Sequence, residues 1–253
     1  MKKSLLLLSL GVFSALQLAN AGDITGTITL KGTPPPEIDI GPTMTAQSPD
    51  CAAMYAGRKF PTTHFYMVGS DGGLGDVVIT LKGGDLKSTG ASAAPALLDQ
   101  KGCVYEPQIF AVQTGQKIIA RNSDMCVHNV HAKPAADSGN PESNQLQMPG
   151  GADLPFTFAK PEAFLQFQCD VHPWMHSWVT VVDNPYYAVT DKDGKFTIKN
   201  VPPGKYTLVA MHRKLSAIYG ADGKTVTGYK GMEKEIDVTG TGATTQDFTF
   251  TMK

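Results

Sequence analysis

The pattern that most constrains this chain is alternation. Between residues 24 and 30, Ile24, Gly26, Ile28 and Leu30 fall on one face and Thr25, Thr27 and Thr29 on the other. Successive side chains of a strand point to opposite faces, so this run reads as a strand with one buried side. Leu165, Phe167 and Cys169 alternate with Gln166 and Gln168 in the same way, and Phe248, Phe250 and Met252 alternate near the end. Residues 77–81, 178–182 and 206–210 are further short strand-like runs. Residues 109–112 and 117–120 flank Thr114-Gly115 and are expected to form a hairpin. Residues 196–198 follow Asp191-Lys192-Asp193-Gly194, a second expected hairpin turn. Helical periodicity is scarce, and no period repeats along the chain. Short strands separated by turns, in a sequence with 26 glycines and 17 prolines, predict an all-β chain built from sandwiches.

A length of 253 residues is enough for one real core or two modest ones. The 42% hydrophobic and 18% charged content excludes a disordered chain. A net charge of -1 gives no reason to expect nucleic acid as a partner. Residues 1–21 read as a secretory signal peptide: basic Lys2 and Lys3, an apolar run over residues 5–18, and Ala19-Asn20-Ala21 before Gly22. Cleavage after Ala21 would deliver a periplasmic protein with no membrane span in the mature chain, in an oxidising compartment.

The chemistry concentrates between residues 103 and 176. Cys169-Asp170-Val171-His172-Pro173-Trp174-Met175 places a thiolate, an imidazole and a thioether within one short loop. Upstream, Cys126, His128 and His131 lie in one run. A thiolate, two imidazoles and a weak thioether make up the type 1 copper ligand set. The face shared by Leu165, Phe167 and Cys169 would end inside a sandwich, with a second strand bringing His128. Such a site has no open coordination position, which suits electron transfer better than substrate chemistry. Patterns for covalent haem, serine hydrolases, zinc peptidases and nucleotide loops are missing, so no enzyme is expected.

Residues 97–183 resemble the cupredoxin family, to which plastocyanin and amicyanin belong. The likeness rests on Tyr105-Glu106-Pro107, Val112-Gln113-Thr114-Gly115-Gln116, Asn122 followed by His128-Asn129-Val130, and Cys169-x2-His172-x2-Met175. It implies a Greek-key β-sandwich over residues 91–183 that holds one type 1 copper through His128, Cys169, His172 and Met175. Asn129 would tie the two ligand segments together. The likeness to amicyanin and to methylamine-utilisation proteins implies a redox partner such as a c-type cytochrome or a periplasmic dehydrogenase. Four cysteines allow three pairings; the expected disulfide joins Cys51 to Cys103 and leaves Cys126 as a free thiol. His131 and His176 are expected as loop or surface residues, and Trp174, were it at the surface beside His172, would help form a docking patch.

Residues 184–253, with Asp191-Lys192-Asp193-Gly194 and Pro202-Pro203-Gly204-Lys205-Tyr206, resemble the carboxypeptidase regulatory-like, or transthyretin-like, β-sandwich. The strand runs at 24–30 and 76–81 resemble its opening strands. A smaller sandwich split between residues 22–90 and 184–253, with the copper domain inserted, is therefore expected; such modules are usually non-catalytic. The reading that results is a single-electron carrier. Two alternatives stand beside it, a copper-binding or delivery protein and a structural two-module surface protein without copper.

Overall fold

The computed structural model describes residues 21–240 and 242–252. The expected signal peptide, Ala21 apart, lies outside the described residues. The described chain is all-β except for short helices at Gly41–Gln47 and Pro49–Ala53 and a 3-10 turn at Gly90–Ser92. None of its helices is long and apolar enough to cross a membrane.

The strands build two sandwiches. In the first, a five-stranded sheet runs in the order Ile109–Gln113, His176–Val182, Glu162–Gln168, His128–Lys133 and Ser143–Gln147. It faces a four-stranded sheet ordered Tyr105–Glu106, Ala96–Gln100, Lys117–Asn122 and Leu154–Thr157. Leu98, Ile118, Phe156, Leu165, Phe167 and Val179 fill the space between them. In the second sandwich, Gly22–Lys31 lies between Lys195–Val201 on one side and Ala243–Thr245 and Phe248–Thr251 on the other. The opposing sheet is ordered Tyr187–Val189, Val77–Lys82, Gly204–His212 and Met232–Val238. Ile24, Ile28, Ile79, Leu81, Ile198 and Leu208 form its core. Strands from before and after the first sandwich thus share this core. Gly26 is required in it, because a Cβ there would sit 1.9 Å from the Gln246 carbonyl oxygen.

Within residues 22–90 one stretch serves the other core. Ile40, Met44 and Cys51, on or beside the two short helices, are buried in the first sandwich. A disulfide joins Cys51 to Cys103. The two sandwiches meet through Val78, Ile109, Phe164 and Trp178, with the Arg213 guanidinium 3.7 Å from the Trp178 ring centroid.

Both expected hairpins are corrected. Ile109–Gln113 pairs with His176–Val182, whereas Lys117–Asn122 pairs with Ala96–Gln100 and Leu154–Thr157. The Thr114-Gly115 turn therefore crosses from one sheet to the other. The Asp191–Gly194 turn does the same in the second sandwich, between Tyr187–Val189 and Lys195–Val201. A turn signal marks a reversal, but burial decides whether the next strand pairs beside the last or across the core. Both faces of these cores needed strands, and the apolar sides of the two runs close opposite faces.

Candidate metal centre

Alternation delivers the first donor. The strand Glu162–Gln168 contains a register shift near Phe164, which has a φ of 55°. Beyond this bulge, Leu165, Phe167 and Cys169 face the first core, while Phe164 faces the junction with the second sandwich. The loop after Cys169 closes on itself. The Cys169 N–H donates to the Met175 carbonyl at 3.1 Å, and the Met175 N–H donates to the His172 carbonyl at 2.9 Å. His128 opens its own strand and is fully buried.

These elements bring three donor atoms together. Nδ1 of His128 and Nδ1 of His172 are 3.0 Å apart, and the Cys169 Sγ is 3.7 Å from the His172 Nδ1. The ligand atoms of His128, Cys169 and His172 all lie within 4.8 Å of one another. Met175 is fully buried in the same core. Separations of this size are those of ligands about 2.0–2.3 Å from a shared ion. Two imidazole nitrogens and a thiolate are a donor set that suits copper.

The surrounding hydrogen bonds orient these donors. Asp124 lies 3.0 Å from the His128 Nε2, so the other nitrogen is the one turned toward Cys169 and His172. Asp124 is itself held by the N–H groups of Gly102 and Cys103 at 2.6 and 2.7 Å. Burial works against its charge, but the bonds from His128, Cys103 and Gly102 outweigh burial and lower its pKa. For His128, burial disfavours the cation, yet the bonds to Asp124 and Cys169 prevail and raise its pKa. The Cys169 thiol would be pushed up by burial; bonds with His128, His172 and the Asn129 N–H instead bring it down to about 6. The thiolate, which is the metal-binding form, is thereby favoured at neutral pH.

Asn129 joins the two ligand segments. Its Oδ1 accepts from the Asp170 N–H at 2.6 Å and the Val171 N–H at 3.3 Å, and it lies 3.3 Å from the Cys169 Sγ. Tyr105 donates to the Asn129 carbonyl at 2.8 Å. Asn122 fastens the loop ahead of His128: its Nδ2 donates to the Cys126 carbonyl at 2.9 Å, and its Oδ1 accepts from the Asp124 N–H at 3.0 Å.

Sulfur covers the outer side of both histidines. The Cys51 Sγ is 3.5 Å from the His172 Nε2, and the Cys126 Sγ is 3.5 Å from the His128 Nε2. Cys126 is a half-buried free thiol, pushed up to about 11 by burial and then by the nearby Asp124 and Asp50 charges. Trp174 donates its indole N–H to the Cys103 carbonyl at 2.8 Å and lies 5.2 Å from the His172 ring. His172 is only 4% exposed, and Trp174 beside it is half-buried.

The remaining candidates stay apart. His131 and His176, expected in loops or at the surface, instead lie half-buried on strands, because each side chain is drawn in by partners: His131 bonds Asp170 and Glu142, and His176 bonds Gln166 and packs on Trp178. Met125 is 86% exposed. Asp124 is the functional residue that the sequence reading passed over. A single carboxylate in a loop carries no spacing signal, and only the fold places it 3.0 Å from His128.

The comparisons with known proteins give partial likenesses. The family that matches is described as polysaccharide lyase family 4, domain II, over residues 170–246, from the ligand loop into the second sandwich. Curated proteins yield no match. Among solved structures, a copper(I) amicyanin variant is 20% identical with a TM-score of 0.31, covering 41% of this chain and 97% of its own. An oxidised amicyanin variant is 20% identical with a TM-score of 0.30 over the same shares. A copper-containing nitrite reductase from Thermus scotoductus is 17% identical with a TM-score of 0.32, covering 41% of this chain and 25% of its own.

Proposed function

We propose that this chain is an exported copper protein that holds one type 1 copper through His128, Cys169, His172 and Met175 and passes single electrons between redox proteins. The observation that carries the reading is the convergence of two imidazole Nδ1 atoms and one thiol sulfur in a buried cluster. Copper bound by such a set supplies a one-electron couple. The chain's own residues supply the rest. Asp124 presents the right nitrogen of His128, Asn129 fixes the ligand loop, and the His128, His172 and Asn129 bonds hold Cys169 in its thiolate form.

Burial of all four side chains keeps substrate molecules from the cluster, which favours a carrier over an enzyme. The signal-peptide pattern of residues 1–21 supports placing the protein in the periplasm. There a c-type cytochrome or a dehydrogenase is the partner class, and the second sandwich acts as scaffold or docking surface. One observation favours a second reading, copper delivery: the Cys126 thiol lies on the outer side of His128 and lines a surface cleft with exposed Met125.

The visible and EPR spectra of residues 22–253 with one equivalent of copper(II) test these readings. An intense thiolate-to-copper band with narrow copper hyperfine splitting is expected, and Cys169→Ser is expected to abolish it. A colourless protein that takes up copper(I) would shift the assignment to delivery. A band that survives Cys169→Ser would overturn the ligand set.

A further inference from the structure

Outside the cluster just described, a second group of donors lies on the far side of His128. The Cys103 and Cys126 sulfurs are 3.6 Å apart, the Cys126 Sγ is 3.5 Å from the His128 Nε2, and that nitrogen is 3.0 Å from the Asp124 Oδ2. All four ligand atoms lie within 4.8 Å of one another. A tetrahedral zinc ion at about 2.3 Å from sulfur and about 2.05 Å from nitrogen would set two thiolates about 3.8 Å apart, and a thiolate and an imidazole about 3.6 Å apart. The first two separations match these distances within a few tenths of an ångström. Cys126 and Asp124 also line an open surface cleft with Asp50, Tyr55, Arg58 and Lys101, so a cation can reach the group from solvent. One bond stands in the way: Cys103 is joined to Cys51.

We propose that reduction of the Cys51–Cys103 disulfide creates a second metal site, in which Cys103, Cys126, Asp124 and the Nε2 of His128 hold a thiophilic cation of the zinc(II) class. The reductant is a dithiol. It gives two electrons and two protons to the sulfur–sulfur bond and leaves as its own disulfide, so Cys51 and Cys103 become thiols. Cation binding then releases the Cys103 and Cys126 protons to solvent, and the His128 Nε2 gives up the proton it shares with Asp124, which moves to Nδ1 when the first cluster is empty and to solvent when it is filled. Cys51 stays outside the set, against the His172 Nε2. The two sites share His128, one through each ring nitrogen, so thiol chemistry at the surface is coupled to the buried centre.

The site is tested in a Cys169→Ser background, which disables the first cluster. Its failure is thus separate from failure of the copper reading, which the wild-type spectrum decides. The full chain is reduced with dithiothreitol, desalted without oxygen and titrated with zinc(II) against a chromophoric chelator. The reduced chain is expected to take up one zinc ion, the disulfide-bonded chain none of comparable affinity, and the reduced chain with Cys126→Ser added none. Alkylation with iodoacetamide followed by peptide mass mapping is expected to show Cys103 and Cys126 protected by zinc and Cys51 labelled. Should reduction loosen the fold, circular dichroism is expected to show zinc restoring it. Equal uptake by oxidised and reduced chains, uptake that survives Cys126→Ser, protection of Cys51 in place of Cys126, or a reduced chain that zinc neither binds nor restores would each overturn the proposal.

Discussion

The two sandwiches are made by the same alternation and differ in what they bury. The second has an aliphatic and aromatic core, with Thr190 and His212 among its few buried polar groups. The first buries Gln100, Asn122, Asp124, His128, Asn129, Gln147 and His172 beside its apolar core. Burying a polar group without a partner costs about 1–3 kcal/mol. The first sandwich limits that cost by linking its polar groups, as in the 2.6 Å bond from Gln100 to Gln147 and the bonds around Asn129. The difference separates a sandwich whose buried polar groups gather at the candidate metal centre from one that buries mainly apolar side chains.

The largest effect expected in the second sandwich comes from Leu208→Ala. Leu208 is fully buried, and its truncation should cost about 3 kcal/mol in urea denaturation. The copper spectrum should not change; a changed spectrum would mean that the two cores are not separable.

A second test uses acid. His212 is buried among uncharged groups near Arg213 and Lys214, and burial first, then those cations, holds its pKa down at about 3 against an ordinary 6.5. The unfolded chain therefore binds the proton first. The stability contributed is present above pH 6.5 and is lost as pH falls from there toward 3, by about 2 kcal/mol between pH 7 and pH 5. Denaturation midpoints at the two pH values check this, with His212→Asn expected to remove that part of the slope.

In the other sandwich, Asn129→Ala should weaken copper affinity by roughly tenfold or more, about 1.4 kcal/mol. Competition with a copper chelator measures this, and the acid slope assigned to His212 should stay as it is. The smallest effect belongs to the surface. The Lys82–Glu233 ion pair is more than half exposed at both ends, so Lys82→Ala should change stability by no more than about 0.5 kcal/mol in the same denaturation assay.

Much of the architecture was open to a reading of residues in order. The strands at Gly22–Lys31, Glu162–Gln168 and Phe248–Thr251 follow directly from alternation, and the residue types that can bind copper stand within short runs. The partner of each strand did not follow. Thr114-Gly115 and Asp191–Gly194 look like hairpin turns, yet both carry the chain across a core, because pairing depends on which sheet still has an open edge. Asp124 escaped notice because a single carboxylate in a loop carries no pattern until His128 lies 3.0 Å away.

What the sequence determined by itself was local: which runs are extended, which face of each is apolar, and which side chains could supply soft donors. These properties depend on residues a few positions apart. The Cys51–Cys103 bond was expected from the sequence, but tertiary structure alone decided that it and Cys126 would lie against the outer edges of His128 and His172. Contacts of that kind join residues scattered along the chain, and they form only when two sheets and a short helical segment close over one core.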